Sequence, residues 1–207
     1  MKVRTILNIG VTSIFAVVVG TIVMIVVRGA PTRALAMEVP VLGSVPEFVL
    51  TEAAGTKLGR ADLLGKVWIA SFIFTRCAEV CPMTMRQETR LQASLPLRDD
   101  LRLVSFSVDP DWDTPKVLTD YAHVFGADRS RWLFLTGDKK RIYHLATEGF
   151  HLATQDADPA KEMPILHSTK LVLVDRRGAI RGYYDSTDDA ELHKLIRDVR
   201  EVLAERS

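Results

Sequence analysis

Apolar and polar positions divide the chain into two unlike parts. From Thr5 to Val27 no residue is charged, and Val and Ile predominate. Read as a helix rising about 1.5 Å per residue, this segment can cross a hydrocarbon core of roughly 30 Å. It is longer than the ~7–15-residue apolar region of a cleaved signal peptide. Arg28 and Arg33 also separate it from Ala34-Leu35-Ala36, the small-residue pattern a signal peptidase would cut. The expectation is an uncleaved anchor over residues 1–28. Residues 29–46 hold Pro31, Pro40 and Pro46 with little periodicity, which reads as a tether. Residues 47–207 read as one domain, large enough for a core of its own.

Within that domain the pattern alternates between strand and helix. Residues 67–74 (VWIASFIF) form a short apolar run, the mark of a buried strand. A helix is expected over 82–95, an alternating strand over 101–108, and a helix over 114–125 with Pro115 near its start. A strand over 132–136 and a helix over 138–148 follow. Residues 150–166 show no period and read as an inserted loop. A strand over 169–174 then turns at Asp175-Arg176-Arg177-Gly178 into a hairpin over 179–184. The last helix, 188–204, carries Leu192, Leu195, Ile196, Val199 and Leu203 on one face, with Thr187 at its start. A parallel βαβ portion joined to a terminal hairpin and helix predicts an α/β, thioredoxin-like fold with an inserted loop, preceded by one N-terminal transmembrane helix.

Composition narrows the functional classes. Lys and Arg number 27 against 26 Asp and Glu, a balance that argues against a nucleic-acid binder. An apolar content of 47% excludes a disordered chain. Without the first 36 residues four basic side chains are lost, leaving 23 against 26, or −3. Two cysteines are too few for a disulfide scaffold or a four-cysteine zinc site. They suffice for one redox pair or for two ligands of one metal.

Those cysteines, Cys77 and Cys81, sit where the first strand turns into the first helix. Residues i and i+4 share a helix face, a spacing compatible with either a disulfide or joint metal ligation. Pro82 needs no backbone donor and suits a helix start. A helix N-terminus also favours thiolates, the form that attacks disulfides and binds metal. Among five histidines, His123, His144 and His193 fall inside expected helices and read as surface positions, while His151 opens the inserted loop. His167 differs: it directly precedes the strand at 169–174, whose start lies near the end of the first strand in a thioredoxin-like arrangement. Two thiolates and one imidazole favour Cu(I), with Cu(II) open to a trigonal site, over zinc. Met83 and Met85 read as core filler on the helix. In Ser107–Pro115, Asp113 reads as a helix N-cap. Asp109 is a candidate to support the cysteine loop from behind, and Trp112 one to face a partner.

Taken together, Phe74-Thr75-Arg76-Cys77 through Cys81-Pro82, Ser107–Pro115, Trp132–Gly137 and His167-Ser168 followed by a strand and Asp175 resemble the Sco/SenC family. The resemblance runs from about Pro46 to the C-terminus. It implies a membrane-anchored, thioredoxin-fold copper protein serving cytochrome c oxidase assembly, with Cys77, Cys81 and His167 as copper ligands. The implied partner is the oxidase subunit carrying the binuclear copper A site, with other copper chaperones beside it. The positive charges around the anchor only lean toward a cytoplasmic N-terminus. The resemblance gives the rest: a single pass through the inner membrane, with the domain in the periplasm, or in the intermembrane space of a mitochondrion. The family commonly has Pro and Asp after the first cysteine, where Ala78 and Glu79 stand here. A second reading is a thiol-disulfide oxidoreductase in which Cys77 attacks and Cys81 resolves. A thiol peroxidase is the third, and Thr75-Arg76-Cys77 imitates such a site only loosely.

Overall fold

A computed structural model describes residues 38–77, 80–152 and 168–205, together with Thr21 and Met24. The chain divides into two units, 1–37 and 38–207. In the first, Thr21 and Met24 are helical, and the rest of the expected anchor lies outside the described residues. Among the described residues no helix is long and apolar enough to cross a membrane.

The second unit is an eight-stranded mixed sheet. Its strands in chain order are β1 (Gly43–Ser44), β2 (Val49–Glu52), β3 (Lys57–Gly59), β4 (Val67–Ile73), β5 (Leu101–Ser107), β6 (Trp132–Thr136), β7 (Lys170–Val174) and β8 (Ala179–Asp185). Across the sheet they run β1-β8-β7-β4-β5-β6-β2-β3. β4, β5 and β6 are parallel neighbours, linked through helices α2 (Val80–Ser94) and α3 (Pro115–Val124). β7 pairs antiparallel with β4, and β8 with β7. The expected βαβ half and terminal hairpin are both present. All seven residues of β4 are buried, which explains its continuous apolar run: a central strand covered on both faces has no polar side to alternate with.

On one face Trp68, Phe72, Phe106 and Phe150 interlock, with Phe72 stacked on Phe106 at 5.1 Å and Phe150 edge-on to Phe72 at 5.2 Å. Phe150, expected to open an irregular insertion, is therefore core. The expected helix over 138–148 is α4 (Lys139–His144), which widens into a π-turn over Leu145–Gly149 and delivers Phe150 inward. The loop proper, from residue 153 to 167, lies outside the described residues.

Three boundaries differ from the sequence reading. The end of the expected tether is built into the folded unit: β1 pairs with β8, Val39 and Val45 are buried, and the buried Arg181 donates to the Val39 and Pro40 carbonyls. The β2–β3 hairpin and the short helix α1 (Arg60–Leu63) are too brief to register as a period. The closing helix α5 (Asp189–Ala204) is capped by Asp188, which accepts from the Ala190 amide at 2.7 Å, rather than by Thr187.

On the opposite face of the sheet a polar cluster replaces hydrocarbon. Glu88 of α2 is fully buried. It accepts from Ser71 of β4 at 2.9 Å, Ser71 meets Ser105 of β5 at 2.9 Å, and the Trp132 indole donates to Ser105 at 2.8 Å. Burial pushes the Glu88 carboxyl up to about 8 from 4.5, against the pull of the two serines. A carboxyl raised in the folded state gives stability that is complete below its unfolded value and lost as pH rises through the folded value. Fold stability should thus fall between about pH 4.5 and 8, and Glu88→Gln should remove that slope, on the order of 3–5 kcal/mol. Denaturant midpoints of both proteins at the two ends of the window measure it; parallel pH profiles would refute a buried ionising Glu88.

Candidate metal centre

The site begins where β4 runs out. After Ile73 the chain passes through Phe74 and a turn at Thr75-Arg76 to Cys77, and α2 starts at Val80. The first turn of any helix leaves backbone amides without intrahelical acceptors. Here one of them, the Cys81 amide, donates to the Cys77 sulfur at 3.3 Å. The i,i+4 spacing thus brings the two residues together. They are not equivalent. Cys77 is half-buried, whereas Cys81 is buried.

Burial reverses the expected electrostatics for the inner thiol. The helix N-terminus was the argument for an easily formed thiolate, yet Cys81 is pushed up to about 12. Desolvation is the main cause, and the neighbouring Cys77 adds to it, against a backbone hydrogen bond at Phe74. Removing water from a charged sulfur outweighs the pull of the helix end.

The cysteine loop is braced from the β5–α3 connection. Asp113, fully buried, accepts from the Thr75 amide at 3.1 Å, the Thr75 hydroxyl at 2.5 Å and the Ser107 hydroxyl at 2.5 Å. The expected cap role falls instead to Thr114, whose hydroxyl accepts from the Val117 amide. Asp113 holds the loop, and nothing in its sequence neighbourhood distinguishes that job from capping. The Asp109 carboxylate accepts from Arg76 Nε at 3.0 Å and Nη2 at 2.5 Å. The Arg76 guanidinium lies over the half-exposed Trp112 ring at 4.8 Å. Asp109 thus ties the residue that precedes Cys77 to the β5–α3 connection.

His167, Ala78 and Glu79 lie outside the described residues. Directly after His167, Ser168 and Thr169 lead into β7, whose antiparallel register against β4 (Ala70 opposite Val172) runs their chain toward the end of β4. The Thr169 carbonyl accepts from the Ser186 amide at 2.8 Å. The Ser186 hydroxyl meets that of Thr84, in α2 just past Cys81, at 2.9 Å. His123, His144 and His193 are exposed, as surface positions should be, and His151 is exposed as well. Met85 is core, but Met83 is 47% exposed beside the loop, so the core-filler reading holds for one of the two. Among the described residues no group of three or more His, Cys, Asp or Glu is arranged to hold a metal.

One residue that sequence reasoning missed is Tyr121 of α3. Its hydroxyl is shielded from solvent and has no hydrogen-bond partner among the described residues. Burial pushes it up, and Cys81 and Cys77 add to the shift.

Comparison with known proteins gives a consistent answer. The SCO1/SenC family model matches residues 42–204. The SCO1 protein homolog of Bacillus subtilis (strain 168) is 31% identical over 163 residues, covering 78% of this chain and 83% of that protein. A putative copper-binding protein of Stutzerimonas stutzeri is 28% identical over 142 residues, 68% of each chain. Among solved structures, BsSco, described as a member of the Sco family of cytochrome c oxidase assembly proteins with a disulfide switch, superposes with a TM-score of 0.65 at 28% identity. That match covers 80% of this chain and 98% of the other.

The inequality of the two thiols is directly measurable. Under iodoacetamide at pH 8, Cys77 should be alkylated at least about tenfold faster than Cys81, because Cys81 is buried and its thiol is pushed up to about 12. Peptide mass spectrometry of a quenched time course reads both rates; equal rates would contradict the buried, protonated Cys81.

Proposed function

The chain belongs to the SCO1/SenC family, and from that premise we propose that it is a membrane-anchored copper metallochaperone for the copper A site of cytochrome c oxidase. Copper is its cargo. The observation that carries the reading is the braced loop holding an outer and an inner sulfur at one helix end. Two thiolates suit Cu(I), and an imidazole completes a three-coordinate set that leaves room for a ligand from the receiving protein. His167 is the proposed third ligand, supported by the ties that run from Thr169 through Ser186 to Thr84. Asp109 and Asp113 position the loop: one fixes Arg76, the other Thr75.

Residues 1–28 are the proposed anchor, with the domain in the periplasm, or in the intermembrane space if the protein is mitochondrial. The proposed partner is the oxidase subunit that carries the copper A site, with other copper chaperones as donors.

The half-buried Cys77 beside a buried Cys81 favours a second reading, a thiol-disulfide oxidoreductase. The Cys77 thiolate would attack a partner disulfide and form a mixed disulfide. Cys81 would then displace the partner's second sulfur, leaving the partner as a dithiol and Cys77–Cys81 as a disulfide. Two electrons pass to the partner, and an external dithiol must restore the pair.

An anaerobic Cu(I) competition titration of the reduced folded unit decides between the readings. One tight Cu(I) per chain is expected. His167→Ala should weaken it by more than the roughly 10–100-fold that loss of a supporting residue costs. Full affinity in that variant would remove His167 from the ligand set, and weak binding by the unaltered protein would move the assignment to dithiol chemistry. In that case Cys81→Ser should accumulate mixed disulfides in cells.

A further inference from the structure

Away from the cysteines, β2 and α4 enclose a groove of about 600 Å³. Its floor is apolar: Phe48, Leu50 and Leu145 line it and are buried. Val49 stands on its lip at 58% exposure. The other lip is basic, formed by Lys140 and Arg141 of α4 with His144 beside them. None of these three side chains makes an ion pair among the described residues, whereas the adjacent Lys139 turns to Asp111. Among the described lining residues the one acid, Glu47, is already paired with Arg60. An apolar trough beside two cations that make no ion pair among the described residues matches an amphiphile with an anionic head.

We infer that this groove seats an anionic phospholipid at a membrane surface, with acyl chain against the floor and phosphate against Lys140 and Arg141. The choice of lipid over an acidic peptide rests on the anchoring proposed above. The stretch 29–37, which would join the anchor to the folded unit, reaches at most about 30 Å when extended, so a bilayer surface is the partner held at high local concentration. The groove residues begin within ten positions of the folded unit's first residue, Glu38. Residues 37–207 as a whole carry a net −3. Adsorption to an anionic surface is therefore disfavoured everywhere except where positive charge is locally uncompensated.

The test uses the folded unit, residues 38–207. It has a core of its own, and 80% of this chain accounts for 98% of the solved BsSco chain. Co-sedimentation is measured with vesicles of phosphatidylcholine alone and of phosphatidylcholine with one-third phosphatidylglycerol. Binding to the second and not the first is expected. The Lys140→Glu, Arg141→Glu double variant should lose about 30-fold or more in affinity. Val49→Asp, at an exposed position, should also lose binding while circular dichroism shows the fold unchanged. Full binding by Val49→Asp would mean charge adsorption without a seat, and would overturn the inference. So would no binding by the unaltered unit, or tighter binding of polyglutamate than of the vesicles, which would assign the lip to a protein partner. Alkaline carbonate extraction of the full chain reads the anchor separately, so failure of the anchor and failure of the seat are distinguishable.

Discussion

A carboxylate buried away from water is tolerated only when donors converge on it, and Asp113 is where that constraint organises this protein. Its three hydrogen bonds come from Thr75 and Ser107, which lie just beyond and at the carboxyl ends of two adjacent parallel strands. Removing any one donor would leave buried charge short of a partner, a cost of about 1–3 kcal/mol or more. The bond set is therefore effectively all-or-none, and it fixes where the chain leaves β4. Everything downstream inherits that position: the turn at Arg76, the Cys77 sulfur that caps the next helix, and the depth to which Cys81 is carried by the first turn of α2. Arg76 adds a second tie to the same β5–α3 connection through Asp109. The cysteine loop is thus clamped from one side by two carboxylates that differ in kind: one is wholly buried, while the other binds a guanidinium that is half exposed and stacked on Trp112.

A second polar cluster lies further along α2. Glu88 sits seven residues after Cys81, two helical turns away on the same face, and both are buried. α2 consequently presents the sheet with a thiol near its start and a carboxyl in its middle, each held near its neutral form by desolvation. The serines of β4 and β5, paired in register at Ser71 and Ser105, satisfy the second group without needing it ionised. The helix that carries the candidate site is therefore seated by hydrogen bonds at a fixed register as well as by hydrocarbon packing, and sliding it would strand Glu88 among apolar side chains.

Much of this was readable from the sequence because the signals were periodic or chemically rare. The β4 run, the β6 segment at 132–136 and the amphipathic α5 stand out by period alone, and a Cys pair at a strand-to-helix junction is an uncommon arrangement. Other features carried no such mark. β1, β2 and β3 are two, four and three residues long, shorter than any window in which alternation can be recognised. Phe150 looked like loop because the π-turn before it breaks the helical period that would have pointed the ring inward. Asp113 looked like a cap because Asp before Thr-Pro is a good cap; only the tertiary approach of Thr75 gives it another use. The helix-end argument for easy thiolates failed at Cys81 because it omitted depth, which no local pattern reports.

That depth bears on what the cysteine pair can do. A lone thiolate at Cys81 is strongly disfavoured, so the inner sulfur is stable as a thiol or as a partner in a bond that disperses its charge. A copper ion bound to both sulfurs does this, and so does a disulfide to Cys77, because each replaces the proton with something other than water. The outer sulfur is only half-buried and is the more accessible of the two. Under either proposed function the demand on the protein would be the same: approach at the half-buried Cys77, followed by transfer to or from a sulfur shielded at Cys81. In the proposed function the order is outer-then-inner, and the two readings differ in whether the third position beside the pair would be filled by an imidazole of this chain or by a sulfur of another.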